Sequence, residues 1–245
     1  MIRIIYGIHT IQSILERNPQ RLLDIYLSQS HKNRRLHKLI QQLDKKGLVI
    51  KMASRQWLDK KTDGAVHQGI IARVHELQFQ EKDLLSLLAQ QATPLLLILD
   101  SVIDPHNLGA CLRCADAAGV HAVIVPRKRT APLNATAQKV ASGAAETVPL
   151  IRVTNLARTL RLLQIHKLWI VGTDDKNVDH DLYKSKLTGP LALIMGGENK
   201  GMRSLTRKYC DELISIPMAG TVFSLNVSVA TGICLFEAVR QRNKK

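Results

Sequence analysis

The chain has 245 residues, of which 45% are hydrophobic and 22% are charged, the balance of an ordinary folded domain. Its 35 lysines and arginines outnumber its 20 acidic residues, and the resulting net charge of +15 predicts a polyanionic partner such as RNA or DNA. No apolar run reaches the roughly 18 residues that a membrane-spanning helix needs, and the first residues lack the cleavage site of a signal peptide.

The first 74 residues predict a small α/β unit. Glycine, serine and polar residues separate short apolar segments of two different periodicities. In chain order these segments predict a helix after Gly7, a strand over residues 22–27, a helix over 31–46 that stops at Gly47, a strand over 48–52, a helix capped by Ser54, and a strand over 70–74.

The helix predicted over residues 31–46 is strongly basic. Its cationic residues are Lys32, Arg34, Arg35, Lys38, Lys45 and Lys46. Residues 1–72 contain 13 lysines and arginines but only 5 acidic residues. A run of charge usually forms a solvated face, but here few acids compensate it. We therefore favour an RNA-binding role for residues 1–74.

Residues 75–92 begin polar and become amphipathic, which is typical of a linker that ends in a short helix. Beyond Pro94, continuous apolar runs predict strands at 95–100, 122–126, 168–173, 191–197 and, more weakly, 212–217. Helical segments lie between and after them at 108–118, 135–142, 156–164 and 227–240. The alternation predicts an α/β fold with a mostly parallel sheet, in which ligands bind at the carboxyl ends of the strands.

Three loops of this second part are candidates for a site. The first, DSVIDPHNLGACLR, contains Asn107 at the turn into a helix and Arg113 about two turns later, and it has no GxGxxG dinucleotide motif. The second is GGENKG at residues 196–201, with one carboxylate at Glu198. The third contains SLN, which places Ser224 and Asn226 at a helix start. Taken singly, helix caps, a solvated arginine and a glycine turn explain all three.

Cys111 and Cys114 form a CxxC pair, which is compatible with zinc or redox chemistry. The other two cysteines, Cys210 and Cys234, lie too far apart to form the second pair of a structural zinc site. Since residues i and i+3 of a helix share a face, we favour free, buried thiols in a cytoplasmic protein.

In order and spacing, DPHNLGACLR, GGENKG and SLNVSVA together resemble the three motifs of the SpoU (TrmH) branch of the SPOUT methyltransferases. The likeness is greatest to bacterial 23S rRNA guanosine-2′-O-methyltransferases. It continues through YGIHTIQSILER, DGAVHQGIIARV, ADAAGVHAVIVP, CDELISIPMAG and TGICLFEAVRQR, and therefore covers nearly the whole chain.

The resemblance implies a SPOUT methyltransferase domain over residues 93–245 with a deep C-terminal trefoil knot, a linker over 75–92, and an L30e-like RNA-binding domain over 1–74. It also implies a homodimer with active sites at the subunit interface, S-adenosyl-L-methionine as methyl donor, and no metal. The implied substrate is a guanosine ribose in 23S rRNA, in the P loop of the peptidyl-transferase region of domain V.

The resemblance also assigns roles to individual residues. The implied catalytic positions are Arg113, Asn107, Glu198, Ser224 and Asn226. The implied donor-binding positions are Gly196, Gly197, Ile216, Leu225 and Thr173. Two departures from the family pattern are the bulky Phe223 beside Ser224 and the charged Lys200 in the glycine loop, which bear on rate or loop geometry.

Arg113 is a problem for the chemistry, because a guanidinium is a very poor base and a ribose hydroxyl is a weak acid. Arg113 is either held neutral by an unusual site, or it stays charged and stabilises the developing oxyanion while a phosphate or a water accepts the proton. We favour the second, because preorganised charge is usually the larger catalytic contribution. The alternative functions are a tRNA 2′-O-methyltransferase, a non-catalytic RNA-binding assembly factor, and a CxxC redox or zinc protein.

Overall fold

In the computed structural model of the chain, the described residues are 2–29, 33–77, 79–174, 179–198 and 200–243. They form two compact units. The first unit joins Met1–Gln78 with the short segment Ser142–Thr147, and the second contains Phe79–Ala141 and Val148–Lys245. No helix in the described ranges has both the length and the apolar character that crossing a membrane requires.

The first unit is a four-stranded sheet with helices. Its elements are β1 (Ile2–Tyr6), α1 (Ile8–Arg17), β2 (Leu22–Ser28), α2 (Arg34–Lys45), β3 (Ile50–Ala53), α3 (Arg55–Lys61) and β4 (Ile70–His75). The strand order is β1-β4-β2-β3, with β4 antiparallel to both of its neighbours and β2 parallel to β3. Every helix and strand expected here is present, and β1 is an additional edge strand.

Helix α2 has its apolar residues on one face and its basic residues on the others. The Asn33 side chain caps the helix by accepting a hydrogen bond from the Arg35 N–H. Leucines at positions 36, 39 and 43 recur at helical spacing and are buried against the core of the unit. The basic residues lie on the other faces, where Arg34, Arg35, Lys38, Lys45 and Lys46 are exposed. The predicted start of this helix at His31 and Lys32 lies outside the described residues.

The second unit is built on a seven-stranded sheet. Its strands are β5 (Leu95–Asp100), β6 (Ala122–Pro126), β7 (Leu150–Val153), β8 (Trp169–Thr173), β9 (His180–Asp181), β10 (Leu191–Gly196) and β11 (Glu212–Ser215). Its helices are α4 (Asp83–Ala89), α5 (Pro105–Ala117), α6 (Ala135–Ala141), α7 (Leu156–Ile165), α8 (Ser204–Arg207) and α9 (Val227–Arg242). The strand order is β7-β6-β5-β10-β8-β11-β9, and neighbouring strands pair in parallel.

The central strands explain the apolar runs in the sequence. All of β5 and β6 is buried, and in β10 only the terminal Gly196 is partly exposed. Strands covered on both faces need apolar side chains at every position, whereas a half-buried strand would alternate. The predicted α/β fold with a mostly parallel sheet is confirmed.

Helix α5 carries the DPHNLGACLR motif, and its start differs from the expectation. Asp104 is the cap, since its side chain accepts a hydrogen bond from the His106 N–H at 3.0 Å, and Pro105 occupies the first turn. Asn107 therefore lies inside the helix and is buried. Gly109 is required by packing, because a Cβ there would lie 2.4 Å from the carbonyl oxygen of Ala137 on α6.

The four cysteines are free, with Cys111 and Cys234 buried and the other two half-buried. The CxxC pair lies on the face of α5 that packs on α9, with Cys111 Sγ 3.4 Å from the Thr231 hydroxyl. Burial raises the pKa of Cys111 to about 12 and also raises that of Cys114. Raised pKa values are the opposite of what a redox thiolate needs. Within the described ranges, no three His, Cys, Asp or Glu residues are grouped as metal ligands.

Candidate functional site

The candidate site lies at the carboxyl edge of the seven-stranded sheet. Strands β5, β10, β8 and β11 are adjacent and parallel, so the loops that follow them leave the sheet on the same side. The register brings their ends together, since Gly196 pairs with Asp100, the last residue of β5, and Thr173, the last residue of β8, pairs with Ile214, one residue before the end of β11. Loops distant in sequence therefore meet at this edge.

Asn107 joins the three motifs. Its side-chain amide nitrogen donates a hydrogen bond to the Glu198 carboxylate in the glycine loop. Its amide oxygen accepts a hydrogen bond from the Asn226 side chain at 3.0 Å. Because an amide has one donor and one acceptor end, a single asparagine fixes both neighbours at once. We call Glu198, Asn107 and Asn226 the amide bridge.

Asn226 also caps α9. Its side-chain oxygen accepts hydrogen bonds from the Ser228 backbone N–H at 2.9 Å and from the Ser228 hydroxyl at 2.6 Å. The cap expected from the SLN sequence is present, but the other end of the same side chain is committed to Asn107. Asn226 therefore both starts a helix and contacts the motif on α5.

Arg113 and Ser224 are not part of the amide bridge. Arg113 is exposed on α5, and its guanidinium forms no hydrogen bond or ion pair with another described residue. Its charge acts on Cys114, where it opposes the larger effect of burial on the thiol pKa. Ser224 is exposed in the segment that precedes α9, next to Phe223, which is 91% exposed. Both side chains are accessible to a ligand or to another chain.

The glycine loop is shaped by close backbone contacts. A Cβ on Gly197 would lie 2.2 Å from the Ser101 carbonyl oxygen, and one on Gly196 would lie 2.4 Å from the Met202 backbone nitrogen. The Gly197 N–H donates to the Asp100 carbonyl oxygen, and the Gly201 N–H donates to the carbonyl oxygen of Gly197. No side chain fits at the two glycines, so backbone alone forms this part of the edge.

The remaining predicted donor-binding residues lie at the ends of neighbouring elements. Thr173 ends β8, and its hydroxyl donates to the Ile194 carbonyl oxygen on β10 at 3.1 Å. Ile216 follows β11, and Leu225 precedes α9; both are half-buried. Together with Gly196 they bring apolar side chains and a backbone position without a side chain to the same edge of the sheet.

Two ion pairs at this edge were not predicted from the sequence. The carboxylate of Asp100 is fully buried at the end of β5, and it accepts from Arg203 through both the guanidinium Nε, at 2.7 Å, and the backbone N–H. Asp174, just after β8, pairs with Arg207. The sequence signal that could have predicted the first pair is the acidic residue at the end of an otherwise apolar strand, because a buried carboxylate needs a cationic or hydrogen-bonding partner.

Comparison with known proteins identifies the family. Residues 94–236 match the model of the SpoU rRNA Methylase family, and residues 4–80 match one described as RNA 2′-O ribose methyltransferase substrate binding. The chain is 66% identical to the 23S rRNA (guanosine-2′-O-)-methyltransferase RlmB of Photorhabdus laumondii, over 99% of this chain and 100% of that protein. It is 65% identical to RlmB of Escherichia coli K12, with the same coverage.

Among solved structures, the chain is similar to the SpoU methyltransferase AviRb from Streptomyces viridochromogenes, crystallised with AdoMet. The TM-score is 0.77 at 23% identity, over 98% of this chain and 90% of that one. At this identity the similarity establishes a common fold. The family assignment rests on the match over residues 94–236 and on the relatives at 65–66% identity. The chain belongs to the SpoU rRNA methylase family.

Proposed function

We propose that the protein transfers a methyl group from S-adenosyl-L-methionine to the ribose 2′-hydroxyl of a guanosine in 23S rRNA. The observation that carries the proposal is the amide bridge, which joins the three family motifs at one edge of the sheet. Relatives at 65–66% identity over the full length are named for this reaction. The target within the RNA is the guanosine of the P loop in domain V, and the enzyme acts in the cytoplasm.

The residues present fit the methyl donor. Gly196 and Gly197 pack so closely against neighbouring backbone that no side chain fits at either position, and a donor at this edge would therefore meet backbone there. The half-buried side chains of Ile216 and Leu225 supply apolar surface for an adenine, and Thr173 ends the adjacent strand. When bound, S-adenosyl-L-methionine supplies a methyl group activated on a positively charged sulfonium.

In this mechanism Arg113 remains a cation next to the target ribose. The 2′-oxygen becomes more negative as it loses its proton, and a fixed positive charge stabilises that oxyanion without having to accept the proton itself. The proton passes to an RNA phosphate or to water. Glu198 and Asn226 are held by Asn107, so the polar atoms that they do not use in these hydrogen bonds are positioned to orient the ribose hydroxyls. Ser224, adjacent in sequence, adds a further hydroxyl.

The proposal includes a homodimer. Helix α9 exposes Val229 and Phe236, which are seven residues apart and lie on one face, and Phe223 is exposed just before the helix. A second copy that covers this apolar surface would remove it from water and would bring another chain close to Arg113 and Ser224. In that arrangement the active site is completed at the subunit interface.

The proposal also includes the domain organisation that the family resemblance implies: an L30e-like RNA-binding domain over 1–74, a linker over 75–92 and a knotted SPOUT domain over 93–245. The basic face of α2 supports RNA binding by the first domain, because exposed cations release counterions from RNA. Close packing of Gly196 and Gly197 against backbone at the sheet edge suits a chain that threads through itself there.

The test is a methylation assay. Ribosomal RNA from a strain that lacks the gene is incubated with the purified protein and labelled donor, and the modified position is mapped by primer extension sensitive to ribose methylation. We expect label in 23S rRNA at one guanosine of domain V. Label on tRNA would change the substrate, and no label on any RNA would support the reading as a non-catalytic binding factor.

A further inference from the structure

A large cavity lies beside the amide bridge in the second unit. Its volume is about 1280 Å³, and it is lined by the segments that follow β5, β6 and β7, by the start of α7 and by residues of the loop after β10. Gly197 and Glu198 belong to its wall, so the cavity is continuous with the candidate active site. Of the proposed donor-binding residues, Gly197 is among the lining residues, whereas Ile216, Leu225 and Thr173 are not.

The described lining of this cavity is strongly cationic. Its basic residues are Arg127, Lys128, Arg129, Lys200 and Arg203, and Glu198 is the one acid among the lining residues. Glu198 is engaged by Asn107, and the Nε of Arg203 is engaged by Asp100. The side-chain cationic groups of the other four form no hydrogen bond or ion pair with a described residue, although Arg127 attracts Glu81 at longer range. Four cations are therefore available to a ligand.

The backbone at the cavity is held in an uncommon conformation. Ser101 and Arg129 both line the cavity and both have positive φ angles, 71° and 62°. Residues other than glycine rarely adopt this region, and such positions are concentrated at ligand-binding sites. The strain at Arg129 lies within the run of three cations.

The cavity also offers apolar surface. Ile103 is 57% exposed and Leu205 is 54% exposed, and both line it. Exposed aliphatic side chains beside several cations suit a single nucleic-acid strand, because such a strand carries both phosphates and planar bases. A simple anion would use the cations but not the aliphatic side chains.

We propose that this cavity binds the single RNA strand that flanks the target nucleotide. The phosphodiester groups contact Arg127, Lys128, Arg129 and Lys200, and a neighbouring base lies against Ile103 and Leu205. Binding the strand here presents the adjacent ribose to the amide bridge. The inference rests on the proposed function, because it names how that substrate is held in the same unit.

The test compares two double variants that remove equal charge. In Lys128→Ala/Arg129→Ala the cavity loses two cations. In the control, Lys167→Ala/Lys186→Ala, two exposed lysines are removed, and Lys167 shares the positive φ of Arg129 but precedes β8 at the opposite edge of the sheet. Each full-length protein is measured for binding of unmodified 23S rRNA transcript over a series of salt concentrations, for donor binding by calorimetry, and for methylation kinetics.

We expect the cavity variant to bind RNA roughly tenfold more weakly at physiological salt, with the slope of log affinity against log salt reduced by about 1 to 2. Donor affinity stays at the wild-type value, and the loss appears mainly in KM for RNA. The control keeps the wild-type affinity and slope. Equal RNA affinity in the two variants would overturn the proposal, as would a loss of donor binding alone in the cavity variant.

The RNA-binding measurement separates this inference from the proposed function. If the wild-type protein binds 23S rRNA but methylates none of it, the proposed reaction fails. The cavity proposal is then still judged by the difference in RNA affinity between the two variants. If the wild-type protein methylates 23S rRNA and the variants behave alike, only the cavity proposal fails.

Discussion

At the scale of single residues, the amide of Asn107 has a role that charge alone could not fill. A carboxylate at this position would repel Glu198, and an ammonium group would have no acceptor for Asn226. The neutral amide of the buried Asn107 satisfies both neighbours at once. The position therefore selects a residue type by its hydrogen-bonding pattern.

Arg113→Ala tests the proposed catalytic charge. We expect the rate of methyl transfer at saturating RNA and donor to fall about 100- to 1000-fold, the usual effect of removing one group that stabilises an oxyanion. Stability and donor binding should stay unchanged, because Arg113 is exposed and unpaired among the described residues. Lys139→Ala, which removes an exposed cation from neighbouring α6, is the control. A wild-type rate in Arg113→Ala would refute the assignment.

A double-mutant cycle of Asn107→Ala and Asn226→Ala tests the amide bridge. Each substitution should lower the free energy of unfolding by about 1 to 2 kcal/mol, since each leaves a partner without its hydrogen bond and one also removes a helix cap. Because the two side chains contact each other, their effects should couple by about 0.5 to 1.5 kcal/mol. Urea unfolding measures both. Strictly additive effects would mean that the contact contributes nothing to stability.

The residues of the amide bridge could be selected from the sequence, but their contacts could not. The hydrogen bond between Asn107 and Glu198 joins residues 91 positions apart, and the one between Asn107 and Asn226 joins residues 119 positions apart. Spacing along one chain does not encode distances of that kind. The pairing of Asp100 with Arg203 was missed for the same reason, since the two lie 103 residues apart.

At the scale of elements, the apolar pattern predicted the central strands well and the edges poorly. Strands β5, β6 and β10 are buried on both faces, so their composition is uniform. Strands β1 and β7 lie at sheet edges, and β9 has only two residues. An edge strand needs only one apolar face, and a short one has no measurable period. The four-residue α8 was missed for the second reason.

Gly197→Ala tests the close packing of the glycine loop. The added methyl group would collide with the Ser101 carbonyl oxygen, so the loop must shift. We expect the free energy of unfolding to fall by about 1 to 3 kcal/mol, with a loss of donor binding measured by calorimetry.

The matched control for this loop is Gly220→Ala. Gly220 has nothing within 4 Å of a built Cβ, and its φ is not positive, so the methyl group is accommodated. Donor binding and stability should both stay near the wild-type values in that variant. A Gly197→Ala protein that binds the donor normally would show that the loop tolerates the shift.

The buried thiols of α5 and α9 make stability depend on alkaline pH. Burial raises the pKa of Cys111 and of Cys234 from 9.0 to about 12. Because the folded state holds these protons more tightly, the stabilisation is complete below pH 9 and is lost as pH rises towards 12. Between pH 8 and pH 10 the free energy of unfolding should therefore fall by about 3 kcal/mol because of these two thiols together.

The variant Cys111→Ala/Cys234→Ala isolates this contribution. Its free energy of unfolding should fall less between pH 8 and pH 10 than that of the wild-type protein, by about the same 3 kcal/mol. The constant cost of removing the side chains cancels, since each protein is compared with itself at two pH values. Parallel curves for the two proteins would contradict the expected burial of the thiols.

At the scale of the whole molecule, Phe236→Glu tests the proposed dimer. Phe236 is 49% exposed on α9, so a charge there is tolerated by a folded monomer but not by an apolar interface. We expect the solution mass to fall from twice 27.3 kDa to 27.3 kDa, with loss of methyl transfer. Light scattering and the methylation assay measure both. The control is Ile165→Glu, because Ile165 is also exposed but lies on α7, away from the proposed interface on α9.

The hydrogen bonds of the amide bridge join residues far apart in sequence, and this determines when the site can form during synthesis of the protein. Asn107 can meet Asn226 only after a further 119 residues have been translated, and the central β10 enters the sheet between β5 and β8, which are both made before it. Contacts of such sequence separation form late in folding. A nascent chain that has not yet reached Asn226 therefore has no assembled active site, and competence for the reaction begins only after α9 has started to form.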